Sequence, residues 1–258
     1  MTKAAKNFLI CAGAVALVIA VVAILIATLA GGGSAVGENR IYDVEGNVKR
    51  LEIEIKAADF QIVTGDGFSV ESNLKNLNFR QTGERLILTD KRIIGNPDYE
   101  DARLIITVPE GTVFSELDIT VGAGRFTADI LSGQDVSLEL GAGEVYIGSL
   151  YATREADIEG GAGKITIDGG SVSDLQLDMG VGELVLRSEI SDGELDLGVG
   201  EARITLLGER EDYALELNRG IGSITLDGEP LSIGGRFGNG DRRVEINGGV
   251  GSVFVDFE

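Results

Sequence analysis

The sequence predicts an all-β protein of the β-solenoid class, built from stacked coils of ~20 residues and preceded by one transmembrane helix. Two observations carry this prediction. One is an uncharged apolar segment near the N-terminus, and the other is a Gly-x-Gly motif that recurs at near-constant spacing through the second half of the chain. A third observation, the absence of histidine, removes the side chain most often used as a catalytic base or metal ligand.

The apolar segment, residues 8–30, reads FLICAGAVALVIAVVAILIATLA and carries no charged side chain. A helix rising ~1.5 Å per residue is long enough over this segment to cross a hydrocarbon core of ~30 Å. Lys3 and Lys6 precede it, and the positive-inside rule then places residues 1–7 in the cytoplasm. The segment is therefore predicted to be a single-pass anchor.

Two alternatives to a retained anchor follow from individual residues. Small residues at Thr28 and Ala30 would suit a signal peptidase, so the segment could be cleaved. Cys11 is the only cysteine, and the bulky Ile10 before it argues against a lipoprotein acceptor site. After the anchor we expect a flexible tether over residues 31–38 and one extracytoplasmic domain over residues 39–258.

The repeat consists of a short apolar–polar alternation, a Gly-x-Gly motif and a second alternation, as in VSLELGAGEVYI and LQLDMGVGELVL. Its copies are separated by 18 to 22 residues, with a last step of 29. Such a period favours a β-solenoid, in which each coil stacks on the previous one. An antiparallel sandwich or meander is the competing interpretation. The first glycines are predicted to form structural turns: Gly122, Gly141, Gly161, Gly180, Gly198, Gly220 and Gly249.

The parity of the alternation indicates where each coil bends. With the first glycine of a copy numbered zero, positions −3, −1 and +1 are mostly apolar, as in Ile119, Val121 and Ala123. After the motif, positions +4 and +6 are apolar, as in Phe126 and Ala128. Alternate residues of a strand face one side, so the inward set changes from odd to even. The chain must turn or bulge near the second glycine, which allows a positive φ at little steric cost.

The segment IITVPEGTVFSELDITVGAGRF, followed by serial Gly-Ala-Gly and Gly-Val-Gly strands, resembles the bacterial putative-adhesin family of Gly-rich β-solenoid domains. The resemblance covers about residues 45–258. It implies the solenoid fold and an N-terminal membrane anchor, and it transfers no functional residues. The implied localisation is the bacterial cell membrane, with the N-terminus cytoplasmic and the C-terminal domain extracytoplasmic.

Composition excludes several classes of function. The chain has 42 acidic and 22 basic residues, a net charge of −20, so it repels nucleic acid. Without histidine, and without a motif for a Ser-Lys or carboxylate pair, nothing marks a catalytic site. The Gly-x-Gly copies lie between strands rather than opening helices, which argues against a dinucleotide site. We predict no enzyme, no committed cofactor and no small-molecule substrate.

One set of residues is a candidate for metal binding. Position −2 carries an acid in four successive copies, Glu139, Glu159, Asp178 and Asp196. In a solenoid these side chains would stack ~4.8 Å apart as an outward ladder. Ca²⁺ or Mg²⁺ could relieve the repulsion through oxygen ligands. The alternative is a solvated face, screened by Lys164 and Arg203.

Taken together, the sequence predicts a non-catalytic, membrane-anchored module for cell-surface interaction or envelope sensing. Its expected partners are the membrane, through residues 8–30, and an envelope protein. The alternative is a structural or divalent-cation-binding spacer without a specific protein partner.

Overall fold

The structure is a computed structural model, and it describes residues 34–90 and 98–258. In this part of the chain all strands join one 14-stranded sheet, and the only helical element is a 3₁₀ turn at Arg210–Asp212. The all-β prediction is therefore confirmed. The strands are β1 (Val36–Asp43), β2 (Arg50–Gly65), β3 (Ser69–Leu74), β4 (Leu77–Thr82), β5 (Arg85–Asp90), β6 (Arg103–Pro109), β7 (Phe114–Ile167), β8 (Gly170–Leu206), β9 (Tyr213–Asn218), β10 (Ile221–Leu226), β11 (Glu229–Leu231), β12 (Gly235–Phe237), β13 (Arg242–Asn247) and β14 (Val250–Phe257).

The prediction of a transmembrane helix is wrong for this architecture. The single-pass membrane localisation, which was inferred from that helix, is wrong as well. Within residues 34–90 and 98–258, no helix is long and apolar enough to cross a membrane. The physical reason is that the described chain alternates apolar and polar residues with a period of two, which is the pattern of half-buried strands. Residues 8–30, on which the prediction rested, lie outside the described residues.

The strands stack as the coils of a parallel β-solenoid. β2 pairs in parallel with the beginning of β7, and the end of β7 pairs in parallel with the beginning of β8. The register sets each Gly-x-Gly beside the next, so that Gly163 lies beside Gly182 and Gly200 beside Gly251. Each repeat position therefore forms a ladder along the solenoid, with neighbours ~4.8 Å apart.

The interior of the coils is a continuous apolar core. Val121, before the motif, and Phe126, after it, are both buried, so the inward set changes from odd to even positions. The rings of Phe60 and Phe126 stack with centroids 4.7 Å apart. At the bend, the second glycine has a positive φ in every copy, from +111° at Gly124 to +157° at Gly222, a conformation that side chains disfavour.

The order of the coils in space differs from their order in the sequence at both ends. β2 lies between β7 on one side and β5 with β6 on the other. β13 and β14, the last coil in the sequence, lie between β8 on one side and β9 with β10 on the other. The outermost parallel coils therefore come from residues 85–109 and 213–226.

Antiparallel strands cover both ends of the parallel stack. β4 pairs with β5, β3 with β6 and β1 with β3 at one end. At the other end, β11 pairs with β10 and β12 with β9, and each of these two strands has only three residues. Short covering strands limit edge-to-edge pairing of a solenoid with other chains.

Candidate functional site

The first glycines of the repeats line an open groove of about 500 Å³ that runs along the solenoid. We call it the glycine groove. The glycines that form its floor are Gly122, Gly141, Gly161, Gly180, Gly198 and Gly249. Gly220, the remaining predicted turn glycine, stacks beyond Gly249 at the end of the same row, because the last coil lies between the coils of Gly198 and Gly220.

Close stacking requires glycine on this floor. A Cβ on Gly141 would lie 2.2 Å from the carbonyl oxygen of Gly122, and one on Gly198 would lie 2.0 Å from that of Gly180. A side chain at either position would push neighbouring coils apart. The floor of the groove is therefore bare backbone, which a partner chain can approach closely.

One wall of the glycine groove carries the four predicted acids, Glu139, Glu159, Asp178 and Asp196, which we call the acidic ladder. The pairing of β7 with β8 sets Glu159 beside Asp178. At one end of the ladder the Thr120 hydroxyl donates to the Glu139 carboxylate over 3.3 Å. The structure thus brings the four acids together in one wall.

The acidic ladder is electrostatically unfavourable. Burial raises the pKa of Asp178 most, and the carboxylates of Asp196 and Glu159 raise it further. At ~4.8 Å, unit charges repel by about 1 kcal/mol even at the dielectric constant of water. None of the four ladder carboxylates forms an ion pair with another described residue.

The two cations expected to screen the ladder bind elsewhere. Lys164 pairs with Glu183 at 2.9 Å, and Arg203 pairs with Glu201 at 2.6 Å. All four residues follow the glycine motif in their coils, on the surface beyond the bend. Lys164 and Arg203 therefore form no ion pair with the acidic ladder.

The excess of acid extends over the outer surface of the strands that precede the motif. Burial raises the pKa of Asp118 most, and the carboxylates of Glu52 and Glu139 raise it further. Position −4 of the repeat is the next column from the ladder, and it is also mostly acidic: Glu52, Asp118, Asp157, Glu194, Glu245 and Glu216. The surface after the motif is more balanced in charge, since cations such as Arg125, 3.2 Å from Glu144, pair with its acids.

The ladder does not have the shape of a closed metal site. Among the described residues, no group of three or more carboxylates converges as the ligands of one ion would. The four acids follow a line along the solenoid, so a cation would meet neighbouring pairs rather than a full set of oxygen ligands. Binding of Ca²⁺ or Mg²⁺ by the ladder stays a prediction.

Sequence reasoning missed an exposed apolar row formed by the middle residues of three Gly-x-Gly motifs. Position +1 was expected to face inward, but Val199 and Val250 are 38% and 39% exposed and Ile221 is 77% exposed. The three lie side by side in register. The sequence did contain a signal for this exposure, namely the position of each residue between two glycines. Such a residue lies at the bend of the coil, where the alternation of apolar and polar residues no longer predicts which side chains face inward.

The described residues form a parallel Gly-x-Gly solenoid with an open acidic groove, which is the architecture of a repeat protein. The chain belongs to the Toastrack DUF4097 family, whose model matches residues 42–247. The predicted family resemblance is confirmed to this extent. No curated protein matches the chain in sequence.

Three solved structures match this chain at low sequence identity. A putative adhesin from Bacteroides fragilis NCTC 9343 has a TM-score of 0.55 and 15% identity, over 84% of this chain and 96% of that chain. A putative lipid binding protein from Parabacteroides distasonis ATCC 8503 has a TM-score of 0.41 and 14% identity, over 86% and 98%. A putative adhesin from the same strain has a TM-score of 0.40 and 11% identity, over 86% and 99%. At 15% identity, the likeness to the Bacteroides fragilis protein shows the fold alone.

Proposed function

We propose that the domain is a non-catalytic surface interaction module that binds a positively charged segment of another protein in the glycine groove. The observation that carries the proposal is the acidic ladder, whose four carboxylates line the groove without an ion-pair partner among the described residues. A partner with lysine or arginine side chains would relieve their mutual repulsion. Complementary charge also accelerates association and selects the correct partner.

The geometry of the groove supports a chain-like partner rather than a small substrate. The groove is open along its length, and its floor is backbone, so it offers a track ~24 Å long across six coils at ~4.8 Å per step. An adhesin name on the Bacteroides fragilis neighbour agrees with this class of function. The alternative function, a spacer without a specific protein partner, predicts no binding that depends on the groove.

Fluorescence anisotropy with labelled hexalysine tests the proposal. The measurement is made at ~150 mM salt, where exposed charges more than ~8 Å apart are screened. The groove variant carries Glu139→Gln, Glu159→Gln, Asp178→Asn and Asp196→Asn. The matched control changes the net charge equally at exposed sites outside the groove: Asp66→Asn, Glu110→Gln, Glu211→Gln and Glu229→Gln.

We expect the groove variant to bind at least about tenfold more weakly, which corresponds to ~1.4 kcal/mol. The control variant should lose less than about threefold, because its charges act only at long range. Equal losses in both variants would mean that net charge alone attracts the peptide. That result, or no binding by the unmodified chain, would contradict the proposal and favour the spacer.

A further inference from the structure

The last coil of the sequence, residues 242–257, is enclosed by two coils that precede it. β14 pairs in parallel with β8 on one side and with β10 on the other, and β13 is enclosed in the same way by β8 and β9. Among the described strands, neither β9 nor β10 pairs with β8. The last coil therefore fills a slot and joins residues 213–226 to the body of the solenoid.

The slot is complementary to this coil in detail. Val244, Ile246, Val253 and Val255 enter the core and are at most 5% exposed. A Cβ at Gly251 would lie 1.7 Å from the carbonyl oxygen of the coil beneath it. The slot thus accepts a strand with glycine at this point and apolar residues on both sides of it, and residues 242–257 of any copy of this chain meet that requirement.

Both ends of the enclosed coil are held by side chains. Arg242 contacts Glu189 at 2.7 Å, and its guanidinium lies 5.4 Å from the ring centroid of Tyr213. At the other end, Glu258 pairs with Arg187 at 2.9 Å. Each contact joins the coil to residues outside it. The same contacts would form if the coil came from a second copy of the chain.

A short hinge, residues 238–241, connects this coil to β12. β12 and β13 lie on opposite sides of β9, with Phe237 beside Leu215 and Arg242 beside Tyr213. Two strand spacings of ~4.8 Å and two residues of ~3.3 Å along the strand give a crossing of about 12 Å. The five residue steps from Phe237 to Arg242 reach at most ~17 Å. A Cβ on Gly240 would lie 2.0 Å from the Asp212 backbone and 2.4 Å from the Tyr213 nitrogen, so the hinge already passes close over the first residue of β9.

We propose that residues 242–258 exchange between two copies of the chain, each last coil filling the slot of the other in a two-fold symmetric dimer. The strand pairs, buried side chains and end contacts are the same in both forms, and only the path of the hinge differs. A short hinge holds the coil near its own slot at an effective concentration of about 1 mM. The closed monomer therefore dominates at micromolar concentration, and exchange grows when closure is obstructed or folding occurs at high concentration.

Paired cysteines report which copy supplies the coil. Glu201 and Ser252 lie beside each other in register and neither is buried. In a chain with Cys11→Ser, Glu201→Cys and Ser252→Cys, oxidation of the closed form gives a covalent monomer on a non-reducing gel. Oxidation of the exchanged form gives a covalent dimer. Chains with only one of the two cysteines are the controls for random cross-linking.

Two hinge variants in this background test the geometry. Deletion of Asn239 and Gly240 leaves three steps with a reach of at most ~11 Å, which is shorter than the crossing of about 12 Å. Insertion of four Gly/Ser residues after Asn239 relaxes the crossing. We expect the covalent dimer to increase at least about tenfold on deletion, because the effective concentration falls towards zero when a linker cannot span its sites. Insertion should leave the monomer dominant.

Refolding of the chain with its original hinge provides a second measurement if the deletion variant does not fold. Between about 10 µM and 1 mM, the covalent dimer should rise from a minor to a major fraction as the protein concentration reaches the effective concentration. A monomer at every concentration would overturn the proposal. A folded deletion variant that cross-links only within one chain would overturn it as well.

Discussion

Alanine substitutions at glycines test why the solenoid places glycine at each bend. Gly163 has a φ of +142°, and a Cβ there would lie 1.9 Å from a carbonyl oxygen of the neighbouring coil. Gly161 has the close approach alone, with a distance of 2.2 Å. Gly46 has the positive φ alone, +65°, with open space around it, and Gly67 has neither feature. The four positions form a matched set.

The structure gives a magnitude for each member of the set. Real Cβ atoms essentially never approach a heavy atom within 3.0 Å, so alanine at Gly163 must move its neighbours by about 1 Å and forfeit packing energy. Such a shift weakens one or two ladder hydrogen bonds, at ~0.5–1.5 kcal/mol each. The backbone conformation costs a further ~1–3 kcal/mol. We expect a loss of about 2–6 kcal/mol in the free energy of unfolding.

The other substitutions should follow in order. Gly161→Ala should cost about 1–3 kcal/mol from the hydrogen bonds alone, and Gly46→Ala about 1 kcal/mol from its left-handed φ. Gly67→Ala should stay within about 0.5 kcal/mol of the unmodified chain. Urea denaturation followed by circular dichroism measures these differences. At ~2–4 °C per kcal/mol for a domain of this size, a loss of ~4 kcal/mol at Gly163 lowers Tm by about 8–16 °C.

Two results would refute the reasoning. Many point mutations change the free energy of unfolding by about 1 kcal/mol. If Gly163→Ala changes it by no more than that, the stability of the coils does not depend on their close approach at the bend. If Gly46→Ala costs as much as Gly163→Ala, conformation alone explains the glycines and the contact between coils contributes nothing.

Three further predictions concern charge and packing. Folding raises the pKa of Asp178, so the folded chain is less stable once the pH rises above that pKa and the carboxyl group is ionised. Asp178→Asn should therefore be more stable than the unmodified chain at pH 7, by less than about 1 kcal/mol because the group is partly exposed. Urea denaturation at several pH values should show this difference shrinking towards acid pH. Phe126→Ala removes a buried ring stacked on Phe60 and should lower the free energy of unfolding by about 3–5 kcal/mol. A double-mutant cycle with leucine at Phe60 and Phe126 should give a coupling energy of ~0.5–1.5 kcal/mol between the two rings. Tyr213→Phe removes the 2.7 Å hydrogen bond from the hydroxyl to the Leu207 carbonyl and should cost about 1 kcal/mol in thermal unfolding, without a change in the far-ultraviolet spectrum.

The repeat made the candidate site accessible to sequence reasoning. In a parallel solenoid, equal positions in successive copies become neighbours, so the spacing of Glu159 and Asp178 in the sequence is enough to predict their contact. The change of parity between Val121 and Phe126 likewise locates the bend at the second glycine. These inferences need only local periodicity and one rule for stacking.

The position of the last coil could not be predicted in this way, because every copy offers an equivalent edge. From the sequence, the pattern around Gly222 suits a place beside Gly200 as well as the pattern around Gly251 does, and in the structure Gly251 lies between the two. The longer steps between the last three motifs show only that the chain makes an excursion. The order of the coils in space is decided by the connections between them. The path of these connections depends on turns and on the short antiparallel strands β11 and β12, whose sequences carry little periodic signal.

The energetics of the acidic ladder separate folding from binding. Repulsion between stacked carboxylates costs about 1 kcal/mol per pair, whereas each buried aliphatic side chain of a coil contributes ~1.5–3 kcal/mol, so the core tolerates the ladder. Folding does not require acids at this position, since Thr120 and Asn247 occupy it in the coils at the two ends of the groove wall. Four adjacent acids thus oppose stacking slightly, and no ion pair within the described chain offsets this repulsion. We infer that the charge of the ladder serves recognition, and that stability at neutral pH is lower because of it.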